Sequence, residues 1–350
     1  MEFSYHNQQD NEITLKTRKI LKELPDFCRE FFSDITDTTG AKTRLGYAYD
    51  LRIFFKFLAE EEGGFGDDFS AYTVKDLEKI TATTLNNYME YLSYYIKTEN
   101  DNTMEITNKE RGKSRKLSAV RMLLKYFYKH EKISSNPGEL VNTPKIHEKS
   151  IIRLEPDEVA RLLDVIESGE NLTPAQKRFH KFTSTRDLAL VTLLLGTGMR
   201  VSECVGIDIN HIDFSVNGII IRRKGGKEQV IYFGEEVDEA LQKYLEIRED
   251  IEAKPGSEMA LFLSLQHTRM SVRAVQNLVK KYSSLVTTMK NITPHKLRST
   301  YGTNLYKETG DIYLVADVLG HSDVNTTRAH YADMADENRR RAARVVKLRK

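Results

Sequence analysis

The stretch TPHKLRSTYGTNLY, residues 293–306, decides how the second half of this 350-residue chain is read. Thr293 is a helix N-cap residue and Pro294 suits the first helical position, so His295 and Arg298, three apart, share one helix face. One helix end then offers two groups that hold phosphate. Working outward, VLGHSDVNTTRAHY, residues 318–331, closes a helix at Gly320 and sets His321 in the corner that follows. Ser322 caps a new helix, and Tyr331 falls ten residues after His321, so that one short helix returns its hydroxyl toward the same place. On the N-terminal side, GTGMRVSEC, residues 196–204, makes a tight glycine turn after an apolar helix and presents Arg200, with Glu203 three residues on. Between these, GIIIRRKGGKEQVIYF, residues 218–233, has β-rich arms flanking Gly225 and Gly226 as a hairpin would. It carries Lys224 at the end of the first strand, with Arg222, Arg223 and Lys227 close enough to take the same part.

The length suits two domains, each large enough to bury a core of its own. A net charge of +2 conceals local blocks of one sign. Cys28 and Cys204 are the only cysteines and stand far apart without His or Cys partners at zinc-ligand spacing, which suits a reducing cytosol and argues against a disulfide framework. No apolar run reaches signal-peptide or membrane-span length, so the expectation is a cytoplasmic protein without a membrane anchor.

Residues 1–14 read as a polar tail and residues 15–132 as an all-α domain, opening with the amphipathic TLKTRKILKELPDFCREFF. One helix spaces Leu45, Ala48, Leu51, Phe55 and Leu58 along a face and leaves Lys42, Arg44, Arg52 and Lys56 elsewhere. The last helix repeats this with Leu117, Val120, Leu124 and Phe127. Its window from Arg111 to Lys125 holds six bases, Arg111, Lys113, Arg115, Lys116 and Arg121 among them, and no acid, so it attracts phosphate. The acidic EEEGGFGDD, residues 60–68, is expected to point away from any polyanion. Residues 133–152 read as a linker rich in turn formers, residues 153–333 as a second, α+β domain, and residues 334–350 as a basic tail. The second domain opens at Pro156, with a helix ending near residue 168, and continues through the buried-looking helix DLALVTLLLG. The fold class is therefore mainly α with a small β-hairpin or sheet.

The order Arg200, Lys224, His295-x-x-Arg298, His321, Tyr331 resembles the catalytic signature of the tyrosine recombinase, or phage integrase, family. TPHKLRSTYGTNLY and VLGHSDVNTTRAHY look like its two C-terminal boxes, and TGMRVSE like its first arginine box. More weakly, the helical first half looks like the family's core-binding domain. Within the family the chain looks most like the Xer group, and its longer loops suggest a single-recombinase type. The resemblance implies a Tyr331 nucleophile that attacks the scissile phosphorus and stays on the 3′ phosphate. Arg200 and Arg298 would fork onto the non-bridging oxygens, Lys224 would protonate the departing 5′ oxygen, His295 and His321 would position the phosphate and assist proton movement, and Glu203 would orient its neighbours. It implies no metal and no cofactor. The implied partner is a double-stranded DNA recombination site, clamped between the two domains and bound by a homotetramer on two paired sites that is monomeric or dimeric off DNA. An accessory activator protein and a tail docked on the adjacent subunit fit the same picture, as does association with the nucleoid. Ser299 departs from the family, which often has His after the second arginine, and TTRAHY departs slightly from its usual wording.

Taken singly, each of these residues has an ordinary structural role; six in family order do not share one. Cys204 reads as a small buried residue. Three other readings compete: a DNA-binding protein without catalysis, a type IB topoisomerase, and a metal-dependent nuclease, for which no carboxylate cluster stands beside the histidines. The short stretch before the first helix leaves no room for the arm-binding domain of many phage integrases, which favours a chromosomal, dimer-resolving role over the integrase or excisionase of a mobile element.

Overall fold

A computed structural model describes residues 5–99, 102–145, 152–223, 226–320 and 324. The chain divides into two compact units, residues 1–148 and 149–350. In the first, helices α1 (Tyr5–Leu21), α2 (Phe27–Asp34), α3 (Ala41–Glu60), α4 (Val74–Leu77) and α5 (Ala82–Tyr91) are followed by strands β1 (Tyr94–Glu99) and β2 (Asn102–Thr107) and helix α6 (Glu110–Lys129). Ala48, Leu51, Phe55 and Leu58 of α3 are buried with Leu117, Val120, Leu124 and Phe127 of α6, as the helical spacing requires. Phe54 and Phe57 are buried too, so the apolar face of α3 is wider than a single stripe.

Two features depart from the sequence reading. The first unit is not purely helical: β1 and β2 pair antiparallel from Tyr94↔Thr107 to Glu99↔Asn102. Only one face of this ribbon meets the core, through Tyr95 and Ile106, while Tyr94 and Ile96 are exposed, so no apolar/polar alternation marks it in the sequence. Helix α1 begins at Tyr5, inside the stretch read as a polar tail. Its first turns lie beyond the core and carry no apolar periodicity to reveal them. In the stretch read as linker, Ile133 and Val141 are buried in the first core, and Arg121 Nε donates to the Gly138 carbonyl at 2.8 Å.

The second unit contains α7 (Pro156–Ser168), α8 (Pro174–Thr197), α9 (Val201–Val205), β3 (Ile212–Asp213), β4 (Gly218–Arg222), β5 (Glu228–Tyr232), α10 (Glu235–Glu249), α11 (Val272–Val286), α12 (Pro294–Thr309) and α13 (Ile312–Leu319). The strands form one antiparallel sheet in the order β3-β4-β5. Helix α8 is the central element, with Leu190, Val191, Leu193 and Leu194 buried. Buried Asp187 on α8 accepts from Arg186 (2.6 Å) and from the Tyr282 hydroxyl of α11 (3.0 Å), which fixes the two helices against each other. The entry to α7 is pinned to α12, since the Leu154 amide donates to Thr300 Oγ1 at 3.0 Å. No helix among the described residues is long and apolar enough to cross a membrane.

Candidate active site

The site begins with the end of α8. Gly198 closes that helix at φ +61°, a left-handed conformation that glycine adopts without steric cost. A Cβ there would lie 2.4 Å from Tyr301 Cδ1 and 2.9 Å from Leu319 Cδ2, so the same glycine also lets α12 and α13 approach the turn. Two residues later Arg200 stands at the N-terminal boundary of α9 with its side chain partly exposed. Glu203 reaches back to accept from the Arg200 amide (2.7 Å) and from Arg200 Nη1 (2.8 Å). This reciprocal capping fixes the guanidinium relative to its own backbone.

Helix α13 ends at Gly320, φ +62°, and leaves its last carbonyls without partners inside the helix. Three arginines supply them. Arg200 Nη2 donates to the Gly320 carbonyl at 3.1 Å, Arg223 Nη1 to Leu319 at 3.1 Å, and Arg223 Nη2 to Val318 at 2.9 Å. Buried Arg298 donates through Nη2 to the Leu319 carbonyl and through Nη1 to that of Gly198 at 2.8 Å. The partial negative charge at a helix C-terminus favours all three cations. They differ in access: Arg200 retains 38% of its side-chain surface, Arg223 only 8%. An anion entering here meets Arg200 first.

Of the residues singled out in the sequence, Arg200, Glu203 and Arg298 are therefore brought together around one helix end. His295 lies on the first turn of α12, exposed, three residues before Arg298. Ser299 is buried and returns its hydroxyl to the His295 carbonyl at 3.1 Å, a bond made within the helix that leaves α12 regular. Lys224, His321 and Tyr331 lie outside the described residues. The sequence reading named Arg223 only as able to take the part of Lys224, not as a partner of Arg200, Glu203 and Arg298. The signal available was the period of two in β4, which buries Ile219 and Ile221 and carries Arg223 to the same side. Cys204 is fully buried, and desolvation pushes its thiol far above the ordinary range, so it is a packing residue.

The basic residues of the first unit separate by exposure. Lys42 and Arg111 are exposed. Arg44 Nη1 donates to the Thr36 carbonyl at 2.6 Å and Arg52 Nη1 to Glu23 at 2.8 Å. Lys113 bonds Ser93 at 2.5 Å, and Lys116, buried, bonds Asn108 at 2.7 Å. Arg115 forks onto the buried Asp50, and Arg121 ties down Gly138 and Val141.

Guanidinium groups thus gather where two helices and a helix end meet, beside a small antiparallel sheet on a mainly helical scaffold. Residues 152–338 match the family model described as the phage integrase family. Tyrosine recombinase XerC of Caldanaerobacter subterraneus subsp. tengcongensis is 33% identical over 335 residues, 94% of this chain and 86% of that protein. Among solved structures, XerH site-specific recombinase bound to palindromic difH substrate in a post-cleavage complex aligns with TM-score 0.61 at 19% identity, covering 87% of this chain and 80% of that one. The Tn1549 transposon integrase (residues 82–397) with circular intermediate DNA aligns with TM-score 0.61 at 20% identity, covering 87% and 94%. The chain belongs to the phage integrase family and is a tyrosine-type site-specific DNA recombinase.

Proposed function

We propose that this recombinase exchanges DNA strands through a 3′-phosphotyrosyl bond on Tyr331 and a Holliday junction, in Xer-type resolution of chromosome dimers. The observation that carries the chemistry is the convergence of Arg200, Glu203 and Arg298 on the end of α13. In cleavage the Tyr331 oxygen bonds to the scissile phosphorus and the bond from phosphorus to the 5′ oxygen breaks, so the ester energy is kept in the protein–DNA link. Arg200 and Arg298 take up the charge of the five-coordinate phosphorus, where permanently charged forks serve better than ammonium groups. Lys224 delivers the proton that the 5′ oxygen needs, while His295 and His321 position the phosphate and assist removal of the phenolic proton. Attack by a 5′ hydroxyl of a second duplex on the phosphotyrosine reverses these steps and exchanges the strands.

The Xer-type role is supported by the extent of the likeness to the XerC relative, which runs through both units. The working form is a homotetramer on two paired sites, both units of each subunit contacting the duplex, with an accessory activator admitted and the tail of residues 334–350 passed to a neighbour. In the first unit exposed Lys42 and Arg111, with Lys113 and Arg115, meet the phosphates. Arg44, Arg52, Lys116 and Arg121 act chiefly by holding the scaffold those residues stand on. Many phosphate contacts give an affinity that falls steeply with salt.

The test is a suicide duplex nicked near the crossover. Protein should become covalently attached to the 3′ side in the presence of EDTA, and Tyr331→Phe should abolish this. Attachment that survives the substitution, or that requires magnesium, would sink the proposal.

A further inference from the structure

We propose that Arg223 is a positioning residue for strand cleavage, acting through Arg200; this rests on the phosphotyrosine reading above. Arg223 follows the last residue of β4, and the alternation that buries Ile219 and Ile221 turns its side chain inward while Arg222 stays exposed. Its guanidinium then makes a set of bonds that no single cap requires. Nε donates to Gln229 at 2.9 Å, Nη2 to the Val318 carbonyl at 2.9 Å, and Nη1 to the Leu319 carbonyl at 3.1 Å. Nη1 also lies 3.4 Å from both carboxylate oxygens of Glu203.

Those partners also hold Arg200. Glu203 and the Gly320 carbonyl receive the Arg200 fork, and Arg223 bonds the former and the two carbonyls that precede the latter. Gly320 packs so closely that a Cβ on it would lie 2.7 Å from Arg223 Cζ, which fixes the turn against the guanidinium as well as through the hydrogen bonds. Glu203 is thus shared between an outer arginine open to a phosphate and an inner one that is closed off. The inner arginine sets the carboxylate and the carbonyl whose positions decide where the outer fork points.

Arg223 does not replace Lys224 as a proton donor: an arginine stays protonated at any working pH, and this one is engaged on every side. Lysine in its place keeps the charge but cannot reach two carbonyls, Gln229 and Glu203 together.

The experiment measures the single-turnover rate of covalent complex formation on the suicide duplex, at saturating full-length protein, for wild type, Arg223→Lys, Arg200→Lys and the double variant. DNA affinity and thermal stability are followed in parallel. We expect Arg223→Lys to slow cleavage by about 10- to 100-fold, by analogy with the loss when hydrogen-bond partners that orient metal ligands are removed, with affinity unchanged. In the Arg200→Lys background the same substitution should add little further loss, because its route to the phosphate is already cut. Gln229→Leu, which frees Arg223 Nε without altering charge, should slow cleavage in the same direction, and it decides the matter if Arg223→Lys does not fold. Wild-type rates in these variants would overturn the proposal. So would a loss from Arg223→Lys that stays undiminished in the Arg200→Lys background. If wild-type protein forms no Tyr331-dependent complex at all, the recombination chemistry itself is wrong, and this inference goes with it.

Discussion

Arg115 and Asp50 form one ion pair between α6 and α3, yet deleting its two members should have unequal consequences. The Asp50 side chain retains 1% of its surface and the Arg115 side chain 55%. Both terminal nitrogens of Arg115 donate to the two carboxylate oxygens, the Nη2–Oδ1 bond measuring 2.8 Å. In Arg115→Ala the carboxylate stays in the interior without its main partner. Breaking a buried pair in this way costs about 3–5 kcal/mol. In Asp50→Asn the half-exposed guanidinium turns to water, and the loss is limited to charge-assisted hydrogen bonds, on the order of 1.5–3 kcal/mol. Burial raises the Asp50 carboxyl above its ordinary value, against Arg115 and Lys116, which pull it down. A carboxyl with a higher pKa folded than unfolded favours folding most below the unfolded value and loses that advantage as pH rises through the folded one. Without Arg115 the carboxyl rises further, so the Arg115→Ala deficit should be largest near neutral pH and shrink in acid as Asp50 takes up a proton. Urea unfolding followed by circular dichroism measures both quantities, with the first unit's transition assigned by hydrogen exchange over residues 41–60 and 110–129. Equal losses for the two substitutions, or a deficit that grows in acid, would refute the reasoning.

Two further outcomes follow from single atoms. Tyr88 is fully buried and its hydroxyl has no hydrogen-bond partner among the described residues, while its ring packs on Phe54 and Phe57 with centroids at 4.9 and 5.3 Å. Tyr88→Phe should keep the packing and remove an unsatisfied polar group, stabilising the first unit by up to about 1–3 kcal/mol in the same urea assay; a destabilised variant would contradict this. Gly198→Ala should cost roughly 1–3 kcal/mol from overpacking against Tyr301 and Leu319 and slow cleavage as well. A variant with wild-type melting temperature and cleavage rate would show that the close approach of α8, α12 and α13 does not hold the site.

Much of this protein is legible in one dimension. The apolar spacing of Ala48, Leu51, Phe55 and Leu58 and of Leu117, Val120, Leu124 and Phe127 marks α3 and α6 because a helix buries every third or fourth residue whatever surrounds it. Glycines 169, 198 and 320 end helices in left-handed conformations that other residues reach only with strain. The spacing of Arg200, Glu203 and Arg298 within their motifs is local too, which is why the family resemblance could be read from short stretches.

The ribbon of residues 94–107 and the first turns of α1 escaped because each meets the core on one side at most, and a mostly solvated element carries a faint hydrophobic pattern. The fate of the arginines was beyond pattern altogether. A guanidinium reads alike in sequence whether it faces a phosphate, a carboxylate or a carbonyl, and its partner is chosen by what the fold sets beside it. The partner of Arg298 at Gly198 lies 100 residues away, that of Arg223 at Leu319 lies 96, and that of Arg115 at Asp50 lies 65. Sequence alone determined helices such as α3 and α6, the glycines that end α7, α8 and α13, and which chemical groups these elements carry; tertiary structure decided which of the cations stand open and which are already engaged, since hydrogen bonds over such separations exist only once the chain has closed on itself.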